Sequence, residues 1–218
     1  MKTLLVTGAT SGLGLEIVKA THKRYRIIAS GRKTEELQRL KRYYKCHIVQ
    51  GDINNLTVQS CIANEVRELG ATTAILCAGI YRGGYLHTHS EGDIMGTITT
   101  NLTSQILLIS KLLLFMPHPA TLAVVNSLAG KSGSINEPVY CASKFGLRGF
   151  IESLRYEHGK VGTRIFSVYP GAMRTPMTKH RADWDKLLNP ASVAKLIVDI
   201  CERDDMRIDD VEIMRTTY

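Results

Sequence analysis

Short apolar runs alternate with amphipathic stretches along the whole chain, and that alternation limits the fold more than any other feature. Leu4-Leu5-Val6, Arg26-Ile27-Ile28-Ala29, His47-Ile48-Val49, Ala74-Ile75-Leu76-Cys77, Leu122-Ala123-Val124-Val125 and Ile165-Phe166-Ser167-Val168 read as short strands buried on both faces. Helical patterns lie between them at 13–23, 34–41 and 56–69. Two longer helices are expected at 92–114 and 137–158, the second opening on Pro138 with Ser134 or Asn136 as its cap. The tail adds a helix at 191–201 and a last strand at 211–214. Strand–helix alternation of this kind needs right-handed crossovers. The expected fold is therefore α/β: one doubly wound parallel sheet of about seven strands, with helices on both faces. Without repeats or linker-like stretches, residues 1–218 are expected to form one domain.

Composition narrows the function classes. Hydrophobic residues at 44% and charged residues at 22% are ordinary for a globular protein. No unbroken apolar run reaches the roughly 18 residues of a membrane span, so no membrane partner is expected. Residues 1–6 lack a small-residue cleavage site and run straight into Thr7-Gly8, which reads as a first strand and not a signal peptide. The five cysteines are scattered, without a Cys-x-x-Cys pair, which points to a reducing cytoplasm. His87-Thr88-His89 has no third ligand in view, so no metal is expected. The net charge of +8 is dispersed apart from a cluster at 32–45, which reads as a solvated basic surface and not a nucleic-acid face.

Chemistry enters at the first turn. Thr7-Gly8-Ala9-Thr10-Ser11-Gly12-Leu13-Gly14 joins the first strand to the first helix. Its glycines let backbone approach a pyrophosphate, and the helix N-terminus offers N–H groups and a positive dipole end. No Gly-Lys-Ser/Thr follows, which argues against a nucleoside-triphosphate loop. Farther on, Tyr140-Cys141-Ala142-Ser143-Lys144 places a phenol and an ammonium one helical turn apart. A free tyrosine has a pKa near ~10, so efficient acid/base work at neutral pH needs a nearby cation. Ser127 follows an apolar strand, where open α/β sheets bind ligands.

The Gly-x-x-x-Gly-x-Gly spacing with Tyr-x-x-x-Lys resembles the short-chain dehydrogenase/reductase family, and the resemblance covers nearly the whole chain. It implies a Rossmann-type domain and a hydride transfer between a nicotinamide and a carbonyl or hydroxyl carbon. By resemblance Asn101, Ser127, Tyr140 and Lys144 form the catalytic set: Tyr140 as general acid/base, Ser127 orienting the substrate oxygen, and Asn101 holding a water that links Lys144 to solvent. Gly8, Thr10, Ser11, Gly12, Leu13 and Gly14 would hold the cofactor, with Asp52 and Ile53 at the adenine and Ala78 and Gly79 near the ribose. Tyr140, Lys144, Pro170, Gly171 and Thr175 would complete the nicotinamide end. The second strand ends Ser30-Gly31-Arg32-Lys33 without the carboxylate of an NAD enzyme, and a guanidinium suits a 2′-phosphate, so NADP is the expected cofactor.

One departure stands out: Leu76-Cys77-Ala78-Gly79 replaces the family's Asn-Asn-Ala-Gly, removing side-chain hydrogen bonds that tie neighbouring strands. Cys77 reads as a small apolar residue with no basic residue flanking it. Residues 172–189 would set substrate choice, with Met173, Met177, Trp184, Leu187 and Leu188 as a pocket lining and Lys179, His180 and Arg181 as an anion site, or as loop anchors and solvated charges. Ile80 and Tyr81 would line the same pocket. The expected partners are a small carbonyl or alcohol substrate and further copies of the chain, as homodimer or homotetramer. The alternative is an NADP-binding sensor without turnover, although such proteins often lose the Tyr or Lys kept here. A nucleotide-sugar epimerase would need an extra substrate domain for which the chain is too short.

Overall fold

The computed structural model describes residues 1–158 and 162–216. Its strands are β1 (Lys2–Thr7), β2 (Tyr25–Gly31), β3 (His47–Gln50), β4 (Thr73–Leu76), β5 (Ala120–Val125), β6 (Thr163–Pro170) and β7 (Asp210–Ile213). The helices between them are α1 (Gly12–Thr21), α2 (Thr34–Tyr44), α3 (Leu56–Glu68), α4 (Glu91–Ile98), α5 (Ser104–Phe115), α6 (Pro138–His158) and α7 (Pro190–Glu202). All seven strands pair in parallel, in the order β3-β2-β1-β4-β5-β6-β7. The expected doubly wound sheet, a Rossmann-type arrangement, is therefore the observed one.

Period-two alternation in each strand divides the core. Leu4, Val6 and Ile27 point to one face and join Ile17 and Val18 of α1, Leu37 and Leu40 of α2, and Ile197 and Val198 of α7. Leu5 and Ile28 point to the other face and meet Ile62 and Val66 of α3, Leu108 and Leu112 of α5, and Leu147 and Ile151 of α6. The chain runs outward from β1 through β2 to β3, then returns to build β4 on the other side of β1. The reversal between β1 and β4 opens a crevice at the carboxyl ends of the strands, where such sheets bind ligands.

Two local expectations change. The helix expected at 92–114 is broken by a π turn at Thr99–Thr103, where the Ser104 N–H reaches back five residues to the Thr99 carbonyl. Side chains from neighbouring elements hold that wide turn: Asn54 Nδ2 donates to Thr100 Oγ1 at 3.0 Å, and Ser104 Oγ donates to Asn54 Oδ1 at 2.7 Å. The whole stretch Glu91–Phe115 has a mean hydropathy of 1.4 over its most apolar window, enough by composition to cross a bilayer. Here Leu108, Ile109 and Leu112 of that stretch pack fully buried against the sheet, as a core helix does.

At α6, neither Ser134 nor Asn136 is the cap. Glu137 precedes Pro138 and its carbonyl accepts the first helical bond, from the Cys141 N–H at 2.8 Å, while Asn136 adopts φ +62° in the left-handed region. Local turn geometry, invisible to residue type, moved the cap to Glu137, while the helix opens on Pro138 as expected.

Candidate active site

The crevice is a cavity of about 730 Å³ lined from both halves of the sheet. Gly8 through Gly14 form one wall. Gly8 sits at φ +65°, and a Cβ there would stand 3.0 Å from the Ala78 N and Cα, so the turn packs backbone against backbone. A Cβ on Gly14 would collide with the Gly8 carbonyl. Ser11 precedes α1 in an extended conformation, makes no side-chain cap bond, and the first turn of the helix carries no acidic residue. The leading N–H groups of α1 thus stand at the cavity wall with no side-chain cap and no first-turn acid to compete with an anion among the described residues. These features fit a dinucleotide pyrophosphate.

The neighbouring wall carries Gly31, Arg32, Asp52 and Ile53. A Cβ on Gly31 would come within 2.6 Å of Thr10 Cγ2, so the carboxylate an NAD enzyme uses here has no room unless Thr10 moves. Arg32 has 66% of its side chain exposed and lies 3.7 Å from Asp52 Oδ2. It stands at the rim, free to receive a 2′-phosphate. Asp52 also accepts the Asn54 N–H at 2.8 Å, the turn-forming bond of an ordinary strand-end aspartate. Thr175 approaches from the far side, its methyl 3.2 Å from where a Gly12 Cβ would lie, and Pro170 and Gly171 line the same cavity.

The departure at Cys77 is compensated locally. The Ala78 N–H donates to Thr7 Oγ1 at 3.2 Å, and the Ala78 carbonyl accepts from Gln105 Nε2 at 2.9 Å. Burial pushes the Cys77 thiol far up, in keeping with an inert apolar role. Thr7 was legible in the turn motif as a residue but not as a strand tie, and nothing in the sequence marked Gln105.

Asn101, Ser127, Tyr140 and Lys144 converge. Tyr140 and Lys144 share the inner face of α6, with Lys144 Nζ 5.8 Å from the Tyr140 ring centre and donating to the Val125 carbonyl at 3.3 Å. Asn126 holds the Lys144 carbonyl through Nδ2 at 3.1 Å, tying α6 to the end of β5. Ser127 lines the cavity beside them and accepts the Ala129 N–H at 3.2 Å. Asn101 is fully buried on the π turn; its Oδ1 accepts the Ile80 N–H at 2.8 Å while Nδ2 donates to the Ile80 carbonyl at 2.9 Å and to Ser143 Oγ at 3.2 Å. Ser143 in turn donates to the Tyr140 carbonyl at 2.7 Å. Asn101 thus clamps the floor at Ile80 to the helix that carries Tyr140.

Burial sets the electrostatics of the pair in the protein alone. In the protein alone burial pushes the Tyr140 phenol up to about 12, with the Ser127 hydroxyl pulling the other way. Burial also brings Lys144 down to about 8. In the protein alone the lysine does not offset that burial. At neutral pH the phenol is therefore protonated, the state of a proton donor.

Residues 172–189 form the outer wall through a bridge between Met173 and Leu188 and short 3-10 turns at Pro176–Thr178 and Trp184–Lys186. Met173, Met177, Leu187 and Leu188 line the cavity as expected, together with Ile80, Tyr81, His180 and Arg181, whereas Trp184 and Lys179 are not among its lining residues. Tyr81 packs edge-on against Tyr140 with ring centres 5.1 Å apart, and its hydroxyl donates to Glu137 Oε1 at 2.8 Å. Glu137 carried no sequence signal beyond its place before Pro138. His87 and His89 are absorbed locally, one stacked on Tyr85 and the other 3.3 Å from the Gly84 carbonyl.

The short chain dehydrogenase family model matches residues 2–186. The chain is a short-chain dehydrogenase/reductase. Among curated relatives, the sepiapterin reductase of Chlorobaculum tepidum is 31% identical over 80% of this chain and 78% of its own. The 3-oxoacyl-(acyl-carrier-protein) reductase of Rickettsia prowazekii is 30% identical over 81% of this chain and 75% of its own. Among solved structures, a short chain dehydrogenase from Burkholderia cenocepacia in complex with NADP superposes with a TM-score of 0.89, at 21% identity, over 97% of this chain and 96% of the other. Membership places the chain among oxidoreductases, and the similarity of fold runs through β7.

Proposed function

We propose that this short-chain dehydrogenase/reductase is an NADP(H)-dependent oxidoreductase that interconverts a carbonyl and a hydroxyl group on a small molecule, working chiefly as a carbonyl reductase. The observation that carries this reading is a single cavity that holds the glycine turn, the acid-free Gly31–Arg32 corner and the Tyr140–Lys144 pair. Two relatives named as reductases and a structural neighbour with NADP support it.

Gly8 through Gly14 and the α1 N-terminus would hold the pyrophosphate, Arg32 the 2′-phosphate, and Asp52 and Ile53 the adenine. Ala78, Gly79, Pro170, Gly171 and Thr175 would frame the ribose and nicotinamide. When bound, the cofactor supplies a hydride in its reduced form and a positive charge in its oxidised form. Tyr140 donates its phenolic proton to the carbonyl oxygen. Ser127 donates a hydrogen bond to the same oxygen and aligns it. Lys144, whose burial keeps its proton labile near neutral pH, returns a proton toward Tyr140. Asn101 fixes the geometry through Ile80 and Ser143, and a water held beside it would link Lys144 to solvent.

One domain carries both binding and chemistry in this reading. The cysteines described are all free, which supports a reducing cytoplasmic setting. Leu107 of α5 and Phe145 of α6 leave 39% and 42% of their surfaces exposed on neighbouring helices, which supports self-association as a homodimer or homotetramer. Tyr140→Phe tests the mechanism: carbonyl reduction with NADPH is expected to fall by about 10²–10⁴, with NADPH binding unchanged within two-fold. Turnover retained in that variant would overturn the reading.

A further inference from the structure

We propose that Arg181 and Arg215 hold the carboxylate of an anionic carbonyl substrate at the mouth of the catalytic cavity; this rests on the reductase reading and names the substrate class for the same site. Both guanidinium groups line the cavity that contains Tyr140. They come from distant parts of the chain and meet on one acid. Arg181 binds Asp183 through two nitrogens at 2.8 and 3.0 Å, and Arg215 NH1 donates to Asp183 Oδ2 at 2.9 Å. A staple between the outer wall and the tail needs one guanidinium per carboxylate. Here two cations share one acid, and they keep 40% and 51% of their side chains exposed. Among the described residues neither guanidinium bonds a second acid, although Glu137 acts on Arg181 through space; the pair keeps unused donors, already oriented by Asp183, in the planar fork that matches a carboxylate. Prior orientation lowers the entropy lost on binding.

The surrounding groups set where the anion must lie. Glu137 sits beside Tyr81, which packs on Tyr140, so a substrate charge next to the reacting carbon would face like charge. Beyond Tyr81, His180 stacks with ring centres 6.4 Å apart, and Arg181 follows it in the chain. Two aromatic rings, those of Tyr81 and His180, thus stand between the phenol and the Arg181 end of the cavity. The substrate class is thus a carbonyl compound with a carboxylate separated from the carbonyl by a rigid or extended apolar body, which the methionines and leucines of the outer wall would cover.

The test compares 4′-formylbiphenyl-4-carboxylate with its methyl ester, using NADPH and the purified protein, with kcat/KM as the readout. The acid is expected to be preferred by at least ten-fold, and Arg181→Gln or Arg215→Gln to bring that ratio close to one. Addition of 0.5 M NaCl would shrink the ratio in the parent and leave it unchanged in the variants. A parent ratio near one, or variants that lose acid and ester turnover in equal proportion, would overturn the proposal and leave the reductase reading standing. If neither compound is turned over, equilibrium titration of the NADP-loaded protein decides. Trp184, the single tryptophan of the chain, adjoins Asp183 and reports binding by its fluorescence. A response to the acid and not the ester upholds the anion site while counting against turnover; an equal response, or none, overturns the site.

Discussion

Tyr140 and Lys144 are one helical turn apart, yet burial drives their proton affinities apart, one up to about 12 and the other down to about 8. For Lys144 this has a measurable cost. The unfolded side chain titrates at 10.5 and the folded one near 8, so the unfolded chain holds more protons between those values and stability rises with pH across that window. Below about 8 the full penalty is present, amounting to about 3 kcal/mol. Lys144→Met, although inactive, is therefore expected to be more stable than the parent at pH 7 in chemical denaturation, with the gap closing toward pH 10. A variant less stable at pH 7 would show that the Val125 carbonyl bond outweighs the burial. Motif spacing gave the identities of these residues directly. It could not give the direction of the tyrosine shift in the protein alone, because that depends on how much water the fold removes; the lowering expected from a nearby cation concerns Lys144 together with the charge of the oxidised nicotinamide.

At the scale of elements, the glycine turn and the π turn show what residue patterns carry and what they miss. The turn was legible because glycine at 8 and 14 answers a steric demand that no other residue meets, a positive φ in one case and contact with a carbonyl in the other. Gly14→Ala is expected to weaken NADPH binding at least ten-fold and to destabilise the fold by about 1–3 kcal/mol, measured by titration and by urea denaturation. Unchanged affinity would mean that α1 can shift without disturbing the anion site. The π turn was hidden inside an amphipathic pattern that continues on both sides of it. Its cause lies in contacts from Asn54, far away in sequence, so no local signal could reveal it. The cap of α6 was misassigned for a related reason: Ser134 and Asn136 have better capping propensity, but the loop places Asn136 in the left-handed region and leaves the cap position to Glu137.

For the whole molecule, alternation of buried strands and amphipathic helices was enough to foresee the parallel sheet, because each strand must bury both faces and each helix one. The strand order was not foreseen, because the crossover rule fixes the hand of each connection and not which edge the next strand joins. Assembly was not legible in the same way, since an exposed leucine or phenylalanine is common on monomers too. Sedimentation is expected to give a mass of two or four chains, and Phe145→Glu to shift it toward one; a monomeric parent would remove the role assigned to the α5 and α6 faces. The claim on which everything else depends is that the cleft binds NADP(H). Titration of the purified protein with NADPH and with NADH, followed by nicotinamide emission, tests it most directly. The account predicts saturable NADPH binding and NADH binding at least ten-fold weaker, with that preference lost in Arg32→Ala. A preference for NADH would contradict the role of Arg32, and binding of neither nucleotide would contradict the functional reading itself.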